Sequence, residues 1–184
     1  LPGDIRWHFV GHLQTNKVKQ VVGKTVLIHS CDRLDLAEAL QKEAEKYAQT
    51  VPVLIQVNTT GEITKQGFFP EEMRNTVGKM LKLKGIQILG LMTIGPLTEN
   101  QDEIRKSFKS LRQLREKLKT EFKAVDWRYL SMGMSSDFEI AVEEGANLIR
   151  AYHTGKDKKG EPMIFATLNS ETGKMIKKPV QPLS

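Results

Sequence analysis

An α/β fold built on a parallel sheet is the class this 184-residue sequence predicts, and three observations predict it. Short β-branched and aromatic runs alternate with stretches of helical periodicity. The runs are apolar nearly throughout, as suits strands covered on both faces. Turn or cap residues separate them from the helices, which is the order of repeated βα units.

The first strand is Ile5-Arg-Trp-His-Phe-Val10, closing at Gly11. Val26–His29, Val53–Asn58, Ile88–Ile94, Trp127–Leu130 and Asn147–Arg150 are the next five. A short helix is predicted over about 15–22. Leu36, Leu40, Ala44 and Tyr47 recur at helical spacing after Asp32, a residue suited to an N-cap. Pro70 suits a first helical position, with Met73, Val77 and Met80 on one face. The clearest stripe is Ile104, Phe108, Leu111, Leu114, Leu118 and Phe122, and Asn100 with Glu103 marks its start. A last helix is predicted from about 137 to 144, with Ser136 and Glu139 as capping box and Gly145 as stop.

Two architectures fit this alternation, an open doubly wound sheet and a closed (β/α)8 TIM-type barrel. At roughly 25 residues per unit, eight units need about 200 residues, an ordinary barrel length. On the barrel reading, residues 1–150 fall two βα units short. After residue 150 the pattern changes. Residues 154–162 are polar and turn-rich, Met163–Leu168 and Lys174–Ile176 resemble a hairpin, and 177–184 read as loose. The expected division is therefore 1–150 as barrel and 151–184 as a divergent basic tail.

Composition excludes several classes. The single cysteine, Cys31, cannot form an internal disulfide, so a reducing compartment is expected, cytoplasmic or organellar. No run approaches 18 apolar residues, and no signal peptide opens the sequence, so no membrane is expected. The first residue is Leu1, so the natural N-terminus is expected upstream. The net charge is +6, but half of it comes from six Lys against three acids in residues 151–184. With no basic–aromatic motif, no nucleic-acid partner is expected.

In parallel α/β folds, ligands bind at the carboxyl ends of strands. His8, His12, His29, Ser30, Asp32, Asn58, Thr93, Ser131 to Ser136 and Arg150 are the polar residues placed there. Leu130-Ser-Met-Gly-Met-Ser-Ser-Asp137 reads as strand, short loop and helix start, where backbone N–H groups and the helix dipole favour an anion. An unliganded helix cap fits the same spacing. Arg150 closes an apolar run; it either reaches solvent or donates to a carboxylate or heteroaromatic nitrogen. Lys65, in the loop after Asn58, is a solvated amine or a captor of aldehydes. The His8–His12 spacing lacks the helix and Glu of a metalloprotease, so no metal is expected.

Trp7-His-Phe-Val-Gly-His-Leu-Gln-Thr-Asn-Lys17, Ile28-His-Ser-Cys-Asp32, Leu54-Ile-Gln-Val-Asn58, Lys65-Gln-Gly67, Gly90-Leu-Met-Thr-Ile94 and Leu130-Ser-Met-Gly-Met-Ser135 together resemble the pyridoxal phosphate homeostasis proteins. The resemblance implies a (β/α)8 barrel similar to the alanine racemase N-terminal domain. It further implies binding of pyridoxal 5′-phosphate (PLP) in order to buffer or deliver it, without established turnover. Ser131, Met132, Gly133, Met134 and Ser135 correspond to the phosphate-binding turn, and Arg150 to the arginine facing the cofactor ring. Asn58, His8 and Met92 correspond to the mouth.

The family's Schiff-base lysine and a Gly-Glu-Asn block belong on the first two strands, upstream of Leu1. After Arg150 the family's Ile-Gly-x-x-Ile-Phe-Gly is replaced by Ala151-Tyr-His-Thr-Gly155, faintly echoed at Ile164-Phe165. PLP-dependent apoenzymes are the implied recipients. The alternative is a PLP-dependent racemase or decarboxylase, which needs that lysine and a second domain larger than the tail. A nucleic-acid binder is the third class, to be recognised by steep salt dependence.

Overall fold

Six short parallel strands, wound in strict sequence order, form the frame of the molecule. The structure is a computed structural model that describes residues 6–150 and two further strand pieces, Leu168–Asn169 and Lys174–Met175. The strands are β1 (His8–Phe9), β2 (Leu27–Cys31), β3 (Val51–Gln56), β4 (Ile86–Met92), β5 (Tyr129–Met134) and β6 (Leu148–Arg150). An order without reversal is that of a barrel wall and excludes the doubly wound alternative, whose strand order turns back at a switch point. The two later pieces, β7 (168–169) and β8 (174–175), pair antiparallel with each other, and β7 pairs antiparallel with β6. The predicted hairpin is thus present at those four residues; Ile5, the turn-rich stretch 154–162, the Ile164-Phe165 echo and 177–184 lie outside the described residues.

Four helices pack on one side: α1 (Leu34–Glu45), α2 (Met73–Met80), α3 (Gln101–Glu121) and α4 (Phe138–Glu143). Their predicted faces are buried: Leu36, Leu40 and Ala44 on α1, Met73, Val77 and Met80 on α2, and Ile104, Phe108, Leu111 and Leu118 on α3. The α3 start is as predicted, since the Asn100 side chain accepts from the Asp102 and Glu103 backbone N–H groups. Three local expectations are corrected. Residues 15–20 form a 3-10 helix, in a segment where Val18 is the one buried residue. The N-cap of α1 is Arg33, because the Asp32 carboxylate is taken up by the Arg33 guanidinium at 2.6 Å. The N-cap of α4 is Asp137, whose side chain bonds backwards to the Met134 N–H, so the Ser136–Glu139 box does not form the cap.

Strand parity divides the core. Leu27, Leu54, Leu89, Met92 and Leu148 form one apolar cluster, with Val10 and Tyr129 against it. Their chain neighbours Ile28, Val53, Ile55, Leu91, Leu130 and Ile149 belong to the larger cluster shared with the helices. Side chains alternate faces along a strand, so the small cluster lines the concave face of the sheet. The curl is measurable: His29 on β2 and Ser131 on β5 approach to 2.8 Å. In a flat sheet, strands three steps apart stand about 14 Å from each other.

Candidate functional site

Two residues beyond the concave apolar layer, the same parity places polar side chains. His29 follows Leu27, Gln56 follows Leu54, Ser131 follows Tyr129, and Arg150 follows Leu148. All four are buried. Three of them, His29, Ser131 and Arg150, are joined with His8 in one line, while Gln56 donates to the Gln66 carbonyl. His8 Nδ1 and His29 Nε2 are 2.9 Å apart, and His29 Nδ1 and Ser131 Oγ 2.8 Å. Arg150 Nη1 donates to Ser131 Oγ and Nη2 to the Thr93 carbonyl, each at 2.7 Å. Thr93 is itself anchored by its N–H to the Ser131 carbonyl and its hydroxyl to the Val57 carbonyl. Thr59 ties Thr93 to Ser107 of α3 through its hydroxyl.

Electrostatics favours neutral imidazoles here. Burial, then the Arg6 charge, lowers the His8 pKa. Burial lowers that of His29 much further, with His8 and Arg150 adding to it. Arg150 is only 8% exposed, and both hydrogen-bond partners of its guanidinium above are neutral. Burial brings its pKa down to about 10, opposed by the Asp137 carboxylate. A buried cation held by neutral acceptors retains attraction for an anion or an electron-rich ring nitrogen.

The serine segment needs correction. Strand β5 continues to Met134, so Ser131 and Met132 are buried strand residues and not loop. Ser131 faces the concave side, while Met132 joins the helix-side core. Serine and glycine look like turn formers in sequence, but β5 lies between β4 and β6, and Ser131 is satisfied by His29 and Arg150. Gly133 is required by its backbone: at φ 92° a Cβ would lie 2.5 Å from the Ala141 Cβ. The turn itself is confined to 134–137, where the Asp137 carboxylate accepts from the Met134 N–H at 2.5 Å. One backbone donor that an anion would use therefore already has a carboxylate.

Asn58 is buried and builds the loop that follows it. Its amide donates to the Glu62 and Lys65 carbonyls, and its oxygen accepts from Thr60 and Gly61. Gly67, at φ 118°, lets this loop return against β3, since a Cβ there would lie 2.8 Å from the Asn58 nitrogen. Lys65 pairs with Glu62 at 2.7 Å and donates to the Gly95 carbonyl. A cleft of about 220 Å³ opens beside Gln56, Asn58, Lys65 and Ile94. A larger one, about 370 Å³, is lined by Phe9, His12 and Lys17 and stands apart from the polar line. Met92 is buried in the concave cluster. Cys31 is buried, and burial with the neighbouring Asp32 pushes its thiol up to about 12, which removes it as a nucleophile. Among the described residues no group of three His, Cys, Asp or Glu side chains is placed to hold a metal ion.

Sequence reasoning placed His8, His29, Thr93, Ser131 and Arg150 at strand ends, and the structure joins these five. It missed Gln56 and Thr59. Gln56 was detectable by the two-residue step from Leu54; nothing local marks Thr59.

The sequence profile of the alanine racemase N-terminal domain matches residues 4–151. A pyridoxal phosphate homeostasis protein of Aquifex aeolicus is 50% identical over 147 residues, 80% of this chain and 64% of that protein. PipY of Synechococcus elongatus, solved without PLP, superposes with a TM-score of 0.76 at 36% identity, covering 82% of this chain and 70% of PipY. With PLP bound, PipY gives 0.75 at 34%, covering 82% and 69%. An alanine racemase of Clostridium difficile reaches 0.66 at 16% identity over 88% of this chain and 42% of the racemase, which shows the fold alone. The chain spans just under two thirds of the length of the Aquifex relative.

Proposed function

Because the chain belongs to the pyridoxal phosphate homeostasis protein family, we propose that its concave strand ends form part of a PLP site that buffers or delivers the cofactor without turnover. The observation that carries this reading is Arg150: a buried guanidinium, fixed by Ser131 and Thr93, with no carboxylate among these partners. PLP, when bound, supplies an aldehyde that condenses with amines and a pyridine ring that draws electrons. The residues present suit it. Arg150 would donate toward the ring nitrogen, while the 134–137 turn, with Gly133, Met134 and Ser135, would receive the phosphate, the Met134 N–H only in exchange for the Asp137 carboxylate. Ser131 and Met132 hold that turn from within β5, and His8 and Asn58 border the mouth. PLP-dependent apoenzymes are the proposed recipients.

On this reading the six parallel strands are the later part of an eight-stranded barrel, and the first two βα units carry the lysine that holds PLP covalently. The family match ending at residue 151 supports 1–150 as the barrel segment and 151–184 as a separate basic tail. Within the segment Lys65 is the amine nearest in the chain to the mouth residue Asn58, and it serves as a secondary, reversible captor. Among the described residues no helix is long and apolar enough to cross a membrane; a cytoplasmic place is part of the proposal.

The test adds PLP, reduces with borohydride and maps the modified peptides. Weak PLP binding by this chain, lost in Arg150→Met, is expected, together with sparse labelling confined to Lys65. A version extended upstream should label strongly at a lysine before residue 1. Failure of both versions to bind PLP overturns the reading.

A further inference from the structure

His8 and His29 are linked; in the cofactor reading His8 stands at the mouth without a stated contact, and His29 has no task. Resting on that reading, we propose that Ser131, His29 and His8 form a proton-ordered relay that holds Arg150 and presents His8 as a neutral Nε2–H donor to an oxygen acceptor of the cofactor. The argument starts from what each atom can do. An arginine only donates, so Ser131 Oγ accepts from Arg150 Nη1. Its one proton then goes either to His29 Nδ1 or elsewhere.

If it goes to His29, the neutral ring carries its proton on Nε2 and donates to His8 Nδ1, and His8 carries its own on Nε2. In the reverse arrangement both rings are protonated on Nδ1, and the Ser131 hydroxyl proton must find another acceptor. Ser131 is fully buried, and a buried donor left unpaired is strongly disfavoured. The first arrangement leaves its one spare N–H on His8, at the half-buried end of the line. Both arrangements give the two histidines the same tautomer. Burial is the main cause that keeps the imidazoles neutral, and the charges that bear on the pair, Arg6 before β1 and Arg150 on β6, are both cations and act in the same direction. Asp137 acts on Arg150, and Gln56 on β3 is uncharged.

Long-range proton–nitrogen NMR of the ligand-free chain with labelled histidines, at pH 7.5, reads the tautomers directly. Both rings are expected neutral and Nε2-protonated. Ser131→Ala should turn both into tautomer mixtures, including His8, which Ser131 does not touch, and Ser131→Thr should restore the single form. Unlike tautomers, two Nδ1-protonated rings, or an unchanged His8 in Ser131→Ala overturn the relay. Should Ser131→Ala fail to fold, the wild-type tautomers decide alone. PLP titration then tests the donor: His8→Phe should weaken binding about tenfold, one hydrogen bond's worth, and His8→Asn should regain most of it. Equal affinity in wild type and His8→Phe overturns the donor role. A wild-type chain that binds no PLP counts against the cofactor reading instead, and leaves the tautomer result to stand separately.

Discussion

His29 carries the pH response of the molecule at the residue scale. Its pKa in the folded chain lies well below the ordinary 6.5, chiefly through burial, and that of His8 is lowered as well. In the unfolded chain both take up a proton near 6.5. Stability is therefore complete above that pH and declines as pH falls toward the folded values, because the unfolded state binds more protons in that window. Thermal melts should show a Tm that is flat above about pH 7 and falls steadily below 6.5. Replacing His29 by Gln should flatten that decline. An unchanged slope would mean that the imidazole is not held neutral. How much of this was legible follows from the same residues. His29 and Arg150 are visible in sequence as polar residues ending apolar runs, and His8 as one close to the end of the first run. Their junction is not, because His29 and Ser131 are 102 positions apart and meet only when the sheet curls.

At the scale of elements, α3 was read correctly and β5 was not, for physical reasons. Helix α3 has a strong local signal: six apolar residues on one stripe and an N-cap whose partners lie two and three residues away. Strand β5 has one serine and one glycine whose fitness depends on partners outside the strand, His29, Arg150 and Ala141. Two substitutions separate these cases. Asn100→Ala removes an exposed cap and should cost about 1 kcal/mol in chemical denaturation with no change in fold. Gly133→Ala must relieve a 2.5 Å approach to the Ala141 Cβ at a φ that disfavours a side chain. It should cost about 2–4 kcal/mol, by strain and forced repacking together. Equal effects would mean that β5 is looser than its contacts indicate. The seat of α4 against α3 adds a further tie, in which Glu144 receives both Arg105 and Arg112.

For the whole molecule, the sheet's curl and its edges set the behaviour. Among the described residues β1 pairs with β2 alone, while β6 has β5 on one side and β7 on the other. An open strand edge recruits other chains; among the described strands the edges are β1 and the two-residue β8, and β1 is the edge of the parallel part. Its two residues are half-buried and begin the relay through His8. If the first two βα units of a barrel normally stand against this edge, as proposed, the 184-residue chain should associate through it. Sedimentation at rising concentration should then show oligomers, and an upstream extension supplying those units should yield a monomer with a steeper unfolding transition. Placing Lys at Phe9 probes the same edge with charge and should reduce association. A 184-residue chain that stays monomeric and unfolds in one cooperative step would show that β1 closes the segment unaided. The two-unit reading of the barrel would then fail on energetic grounds, whatever the chain's resemblance to longer relatives.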